Sequence, residues 1–569
     1  MPDSFFQNKL EYKIRNDFQT DRWKEEQKGE GTMHCENPVL RGFHPDPSMI
    51  RVDDDYYLAV STFEWFPGVR IYHSKNLMQW EYLTAPLDDA QKADLEGCSA
   101  SDGIWAPHLS YDGSQFYLIY TVVHGARENP VMEVSNYLIT APTITGNWSK
   151  PVYLNSSGFD PSIFHEEDGS KWIVNMEWNY RKACCGEAPF TGILLQQYDS
   201  EQKKLIGNPE KIFCGTAIGS IEGPQIFKRN GYYYLVCAEG GTGWFHAVTV
   251  ARSRCLNGPY EVHPQNPVLS SWSGSMDQAL VQQEKAYIGI ENVALKKAGH
   301  GCFCESKDGI WYLSHLCARP IPGTEYCPMG RETAIQEIIW KEDWPYLKSG
   351  ARIPENSFEG IGADSKSVQR KVVYSFHGEA FFRDFQTLRK PWKTLGMTLE
   401  EKKGCLRIYG RESIYSRFDQ ALIARRQSSL RFEAETTFTF APDSFQHAAG
   451  LIYRYDEKNQ YYAFVSYDED EAVTTVNLLQ VVAGKTTWMA SHEIHADKYC
   501  IRIKVHENET NFSYLEHGVE KELGESLRTE VLSDEFADGF TGAFVGMTVS
   551  DLKSHSVYAD FESFVYEEL

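Results

Sequence analysis

Three short segments of this chain place an acidic residue within two positions of a proline: FHPDPS (43–48), FDPS (159–162) and IEGPQ (221–225). Two others share their outline, IWAPH (104–108) and GHGC (299–302). Carboxylates brought close together repel one another and lose hydration, so a fold that gathers them keeps them for acid–base chemistry or for a cation. Taken singly, Asp-Pro-Ser and Glu-Gly-Pro are ordinary turn or strand-entry sequences. Their shared register with a second pattern downstream is what makes them candidates.

That pattern is an Asp-Gly-like turn followed by an aromatic-rich run, and it occurs five times. The copies are DDYYL (54–58), Asp112-Gly113 before FYL (116–118), Asp168-Gly169 before WIV (172–174), Asn230-Gly231 before YYL (233–235) and Asp308-Gly309 before WYL (311–313). Asp-Gly and Asn-Gly supply the positive φ of tight hairpins, and the runs that follow have the composition of strands. Five copies, with no convincing long amphipathic helix from residue 37 to about 345, predict one sheet per repeat and hence a five-bladed β-propeller. The first strand of each propeller blade lines the central channel. The register therefore puts Asp46, Asp160, Glu222 and His300 at one blade position, with three carboxylates converging on one end of the axis. His300, Cys302 and Cys304 would also share a strand face that could suit a soft metal, although two cysteines on a core strand are more commonly packing residues.

With 569 residues, 42% of them hydrophobic, the chain exceeds what one core supports and calls for at least two domains. After about residue 345 the repeat stops, residues 346–370 read as a polar connection, and alternating runs such as LRFEA (430–434) and YYAFV (461–465) predict a β-sandwich over 371–569. The whole chain is thus expected to be all-β, with the propeller over 33–345. A net charge of -23 argues against nucleic acid and anionic membrane surfaces as partners. Residues 1–32 are charged and lack an apolar run, so they are expected to form a flexible extension, with Met33 as the natural start. Thirteen scattered cysteines are expected to be reduced thiols, which fits a cytoplasmic setting. Homo-oligomerisation is left open.

The segments NPVLRGFHPDPS (37–48), STFEWFPGVRIYHSKNL (61–77), GIWAPHLS (103–110), GFDPSIF (158–164), IEGPQIF (221–227), HLCARP (315–320), CPMGRETAIQ (327–336) and FTGAFVGM (540–547) resemble the β-xylosidases of glycoside hydrolase family 43. FHPDPS followed by STFEWFPG is similar to the exo-acting branch. The stretch FFRDFQTLRKPW (381–392) departs from the family pattern, being compressed at the entry to the second domain.

The resemblance implies inverting hydrolysis of xylo-oligosaccharides from the non-reducing end to release D-xylose, with α-L-arabinofuranosides as side substrates. It assigns Asp46 as general base, Glu222 as general acid and Asp160 as the group that orients and tunes the acid. No cofactor is required, and a structural calcium ion near His300 is compatible with it. A pentose needs aromatic walls and a few fixed polar groups. Phe63, Trp105 and Trp178 are the candidate walls, and His300 and Arg331 the candidate polar contacts. The plain alternative for Arg331 is a surface ion pair with Glu332. Phe540 is expected to reach from the sandwich to close the pocket, and Phe544 to lie in the sandwich core. The rival readings are an arabinofuranosidase or arabinanase of the same fold, and a non-catalytic carbohydrate-binding propeller.

Overall fold

The structure, a computed structural model, describes residues 34–126, 130–272, 293–361 and 370–569. The extension at 1–32, Met33 and the last part of the connection, 362–369, lie outside the described residues. Among the described residues the first domain is five antiparallel sheets arranged as blades. Their innermost strands are Ser48–Val52, Gly103–Tyr111, Ser162–His165, Glu222–Arg229 and Lys296–Glu305. Each touches the next, and the fifth returns to the first, so the sheets close into the five-bladed ring that the repeats predict.

The turns do what their sequences dictate. Gly113, at φ 91°, follows Asp112, whose carboxylate accepts the backbone N–H groups of Ser114 and Gln115 at 3.0 Å each. The second strand of blade 2, Phe116–His124, is buried at all but its last residue because blades cover both its faces. Such a strand reads as a continuous apolar run rather than an alternating one. The ring is locked by the chain's own beginning: Leu40 exchanges backbone hydrogen bonds with Thr333 of blade 5, at 3.2 and 3.1 Å. In addition, His34–Glu36 pairs with Ser357–Glu359 beyond that blade.

The second domain is a sandwich of two antiparallel sheets. Strand Arg431–Phe440 alternates strictly, its even-numbered residues buried, as a sheet with one face on a core requires. The second sheet does not end within its own domain. Strand Phe385–Leu388, from the compressed stretch, pairs with Trp65–Phe66 of the propeller, so blade 1 supplies the sheet's last strand. Trp65 is fully buried and stacks on Phe544, with ring centroids 3.7 Å apart and planes 12° from parallel. Phe544 is therefore core, but its cluster also contains Phe43 and Phe63 of the propeller and so belongs to the junction of the two domains.

Candidate active site

The inner strands do not begin regularly. In or just before each, one residue takes the left-handed conformation: Asp46 (φ 54°), Ala106 (33°), Asp160 (54°), Gly223 (57°) and His300 (47°). Two residues later Ser48, His108, Ser162, Gln225 and Cys302 all pair with the second strand of their blade. Such strained turns aim side chains out of the sheet and toward the axis, and are held by the structure around them.

The repeat alignment needs one correction here. Gly223, not Glu222, holds the common position in blade 4, and Glu222 stands one residue earlier across an irregularity in the pairing. A side chain at 223 would be strained at that φ, and its Cβ would lie 3.1 Å from the His300 ring.

Asp46, Asp160, Glu222 and His300 nonetheless line one cavity, together with Phe63, Trp105, Trp178, Arg331 and Phe540. Every candidate catalytic and sugar-contacting residue from the sequence is thus brought to the same place. The cavity holds about 380 Å³, at the small end of the roughly 300–1,000 Å³ typical of ligand sites, as suits the end of a chain.

The segment STFEWFPG explains itself residue by residue. Ser61 donates to Asp46 Oδ2 at 2.6 Å and accepts the Ala106 N–H at 2.8 Å, so it fixes the carboxylate. Thr62 Oγ1 accepts the Val69 N–H at 3.1 Å, closing the turn. Phe63 bonds through its backbone to Ile104, N–H to O and O to N–H at 3.0 Å each, and presents its ring to the cavity. Glu64 is buried and accepts the Ser101 N–H at 3.0 Å. Trp65 and Phe66 then pass into the other domain.

Asp160 accepts the Gly223 N–H at 3.0 Å, which ties it to the residue following Glu222. Burial pushes the Asp160 carboxyl well above the usual carboxylate range; the His300 side opposes this, and the negative charges of Glu222 and Asp46 reinforce it. Glu222 is raised likewise, by burial first, against the Arg331 guanidinium and with repulsion from Asp46. The site thus contains two carboxyl groups disposed to keep a proton at neutral pH.

The aromatic wall is continuous. Trp105 meets Phe63 at 5.9 Å, Phe159 at 5.5 Å and Phe540 at 6.0 Å between centroids. Trp178 donates its indole N–H to Pro130 O at 2.9 Å and meets Phe190 edge-on at 5.3 Å. Phe540 comes from the sandwich; its N–H donates to Ser101 Oγ at 3.0 Å, and Arg331 lies 5.0 Å from its ring centre. Arg331 is buried rather than superficial, and the ion-pair alternative is overturned: Glu332 is engaged by Arg319 through contacts of 2.6 and 2.8 Å.

Sequence reasoning missed His246, Phe159 and Phe190, which also line the cavity. His246 is buried 4.0 Å from Glu222 Oε1, and burial first, then the neighbouring His300 and Arg331 side chains, hold its pKa well below the usual imidazole value. A Cβ at Gly299 would lie 2.3 Å from its ring, so that glycine makes room for it.

Asp46 Oδ1 is 3.6 Å from His300 Nδ1, and no group of three His, Cys, Asp or Glu side chains among the described residues is set to hold a metal. Cys302 and Cys304 are buried in packing.

A β-propeller whose axis ends in buried, proton-holding carboxylates within an aromatic wall has the site of a carbohydrate-cleaving enzyme. Residues 35–345 match the glycosyl hydrolases family 43, and residues 373–567 match the β-xylosidase C-terminal concanavalin A-like domain. The chain belongs to glycosyl hydrolase family 43. It is 39% identical over 564 residues to a beta-xylosidase of Bacillus subtilis (strain 168), covering 94% of this chain and all of that one. It is 41% identical to a xylosidase/arabinosidase 43B of Humicola insolens, over 93% of this chain and 97% of that one. The crystal structure of a xylan beta-1,4-xylosidase from Bacillus halodurans C-125 superposes with a TM-score of 0.87 at 41% identity, over 94% of this chain and all of that one.

Proposed function

We propose that the chain is an inverting exo-β-1,4-xylosidase that removes D-xylose from the non-reducing ends of xylo-oligosaccharides. The observation that carries this reading is the set of three buried carboxylates in a small aromatic-walled cavity to which the second domain contributes Phe540. Hydrolysis needs a proton donor at the leaving oxygen and a carboxylate that activates water on the opposite face of the sugar. Glu222 is the donor, since burial and Asp46 favour its protonated form. Asp46, fixed by Ser61, is the base that takes a proton from water. Asp160, bonded to the backbone beside Glu222, orients the acid.

The names of the relatives at 39% and 41% identity support the pentoside substrate, and the second also favours activity on arabinosides. Parallel hydrolysis of 4-nitrophenyl β-D-xyloside and 4-nitrophenyl α-L-arabinofuranoside tests the assignment. The xyloside is expected to have the higher kcat/KM. The reverse order would make the chain an arabinofuranosidase, and saturable sugar binding without turnover would make it a binding propeller.

A further inference from the structure

Phe540 forms part of the proposed sugar pocket, yet it stands on a short irregular segment of the other domain. It follows the helix Asp534–Ala537, then Asp538 in the left-handed conformation at φ 55°, then Gly539. A single turn of helix does not hold a side chain by itself. Something else must fix where the segment lies against the propeller.

Lys297 is the element aimed at it. It belongs to the inner strand of blade 5, three residues before His300, and is only 4% exposed. Its ammonium contacts Glu535 and lies 3.6 Å from Asp534 Oδ2, the first two residues of that helix. Asp534 is held from behind by the Tyr455 hydroxyl, which donates at 2.7 Å and accepts the Thr541 N–H at 3.1 Å. Glu535 also accepts the Cys327 N–H at 2.7 Å, four residues before Arg331 in the same loop. That loop is bound on its other side by the Ala543 N–H, which donates to Pro328 O at 2.8 Å.

We propose that Lys297 is a positioning residue for the pocket: its buried ion pairs with Asp534 and Glu535 set the depth of Phe540, and with it the fit of the terminal sugar. The inference rests on the pentoside reading of the same site. Removing one member of a buried ion pair leaves the other uncompensated, so the helix should move off its seat rather than merely lose a contact.

The test is a double-mutant cycle on Lys297→Met and Phe540→Ala, read by the KM for xylobiose, the inhibition constant of D-xylose and kcat. Lys297→Met should raise KM and weaken D-xylose inhibition by about tenfold while altering kcat less, and it should add little in the Phe540→Ala background, as coupled neighbours do. Lys297→Arg, which keeps the charge, should recover most of the loss. Should Lys297→Met not fold, Glu535→Gln carries the same cycle, since it leaves Lys297 its partner Asp534.

Additive effects of the two substitutions, or normal KM and inhibition in a variant that only melts earlier, would overturn the proposal. If the wild-type protein neither binds nor cleaves pentosides, the functional reading has failed instead. The two failures are therefore separable.

Discussion

Glu222→Gln removes a transferable proton at nearly constant volume, so the consequence depends on how much the leaving group needs it. Hydrolysis of xylobiose should collapse, while an activated aryl xyloside should lose much less; equal losses on both would remove Glu222 from the role of acid. Asp46→Ala deletes the base for every substrate, and its loss should be indifferent to the leaving group. Added azide should then restore turnover on an activated xyloside and give the α-xylosyl azide. Proton NMR of the wild-type reaction should show α-xylose first, and initial β-xylose would contradict inversion. The raised carboxyls also link stability to pH. Asp160 and Glu222 hold protons in the folded state that the unfolded chain has already released above the ordinary carboxylate range. Stability therefore falls as pH rises from the unfolded toward the folded values, and activity that needs the protonated acid falls on the same side. Melting temperatures between about pH 5 and about pH 9 should show this slope, and Glu222→Gln or Asp160→Asn should each flatten it.

At the scale of the blade, what matters is the left-handed residue two positions before the regular pairing of each inner strand. Gly223→Ala forces a side chain into that conformation and against the His300 ring, and should cost about 1–3 kcal/mol of stability together with most of kcat. Gly113→Ala is the control: it has the same kind of φ in the turn that joins the first two strands of blade 2 but nothing within 4 Å of the new Cβ, so it should lose about 1–2 kcal/mol and keep its activity. Denaturant unfolding set beside kcat distinguishes the two. The same contrast accounts for what could be read in advance. Turn chemistry is local, so Asp112-Gly113 and its four counterparts announced five blades, and their register brought Asp46, Asp160 and His300 together. The offset of Glu222 by one residue depends on how closely the His300 ring approaches Gly223, a contact between blades that no local pattern records. His246 lies at the mouth of a third strand and Phe190 opens another, outside every repeated segment, so neither had a signal.

For the molecule as a whole, the shared sheet makes the two domains one cooperative body. Trp65→Ala would empty the stack on Phe544 and should destabilise by about 3–5 kcal/mol, with propeller and sandwich still melting in one transition by calorimetry. Phe540→Ala should behave oppositely: pentose binding weakens by about 1–3 kcal/mol, as when one aromatic wall is lost, while global unfolding hardly changes. An early-melting variant with normal Michaelis parameters would place Phe540 in the core instead. The junction also bears on synthesis. Leu40 has no cross-strand partner until Thr333 exists, and Trp65 none until Leu388 exists. At about 5–20 residues per second a ribosome needs roughly 15–60 seconds to make the intervening chain. During that time the first blade leaves the exit tunnel with its Trp65 side chain still lacking the Phe544 ring that covers it in the folded protein. Neither domain can then be exchanged for a foreign counterpart by simple gene fusion, because each is missing a strand or a stacking partner that only the other encodes.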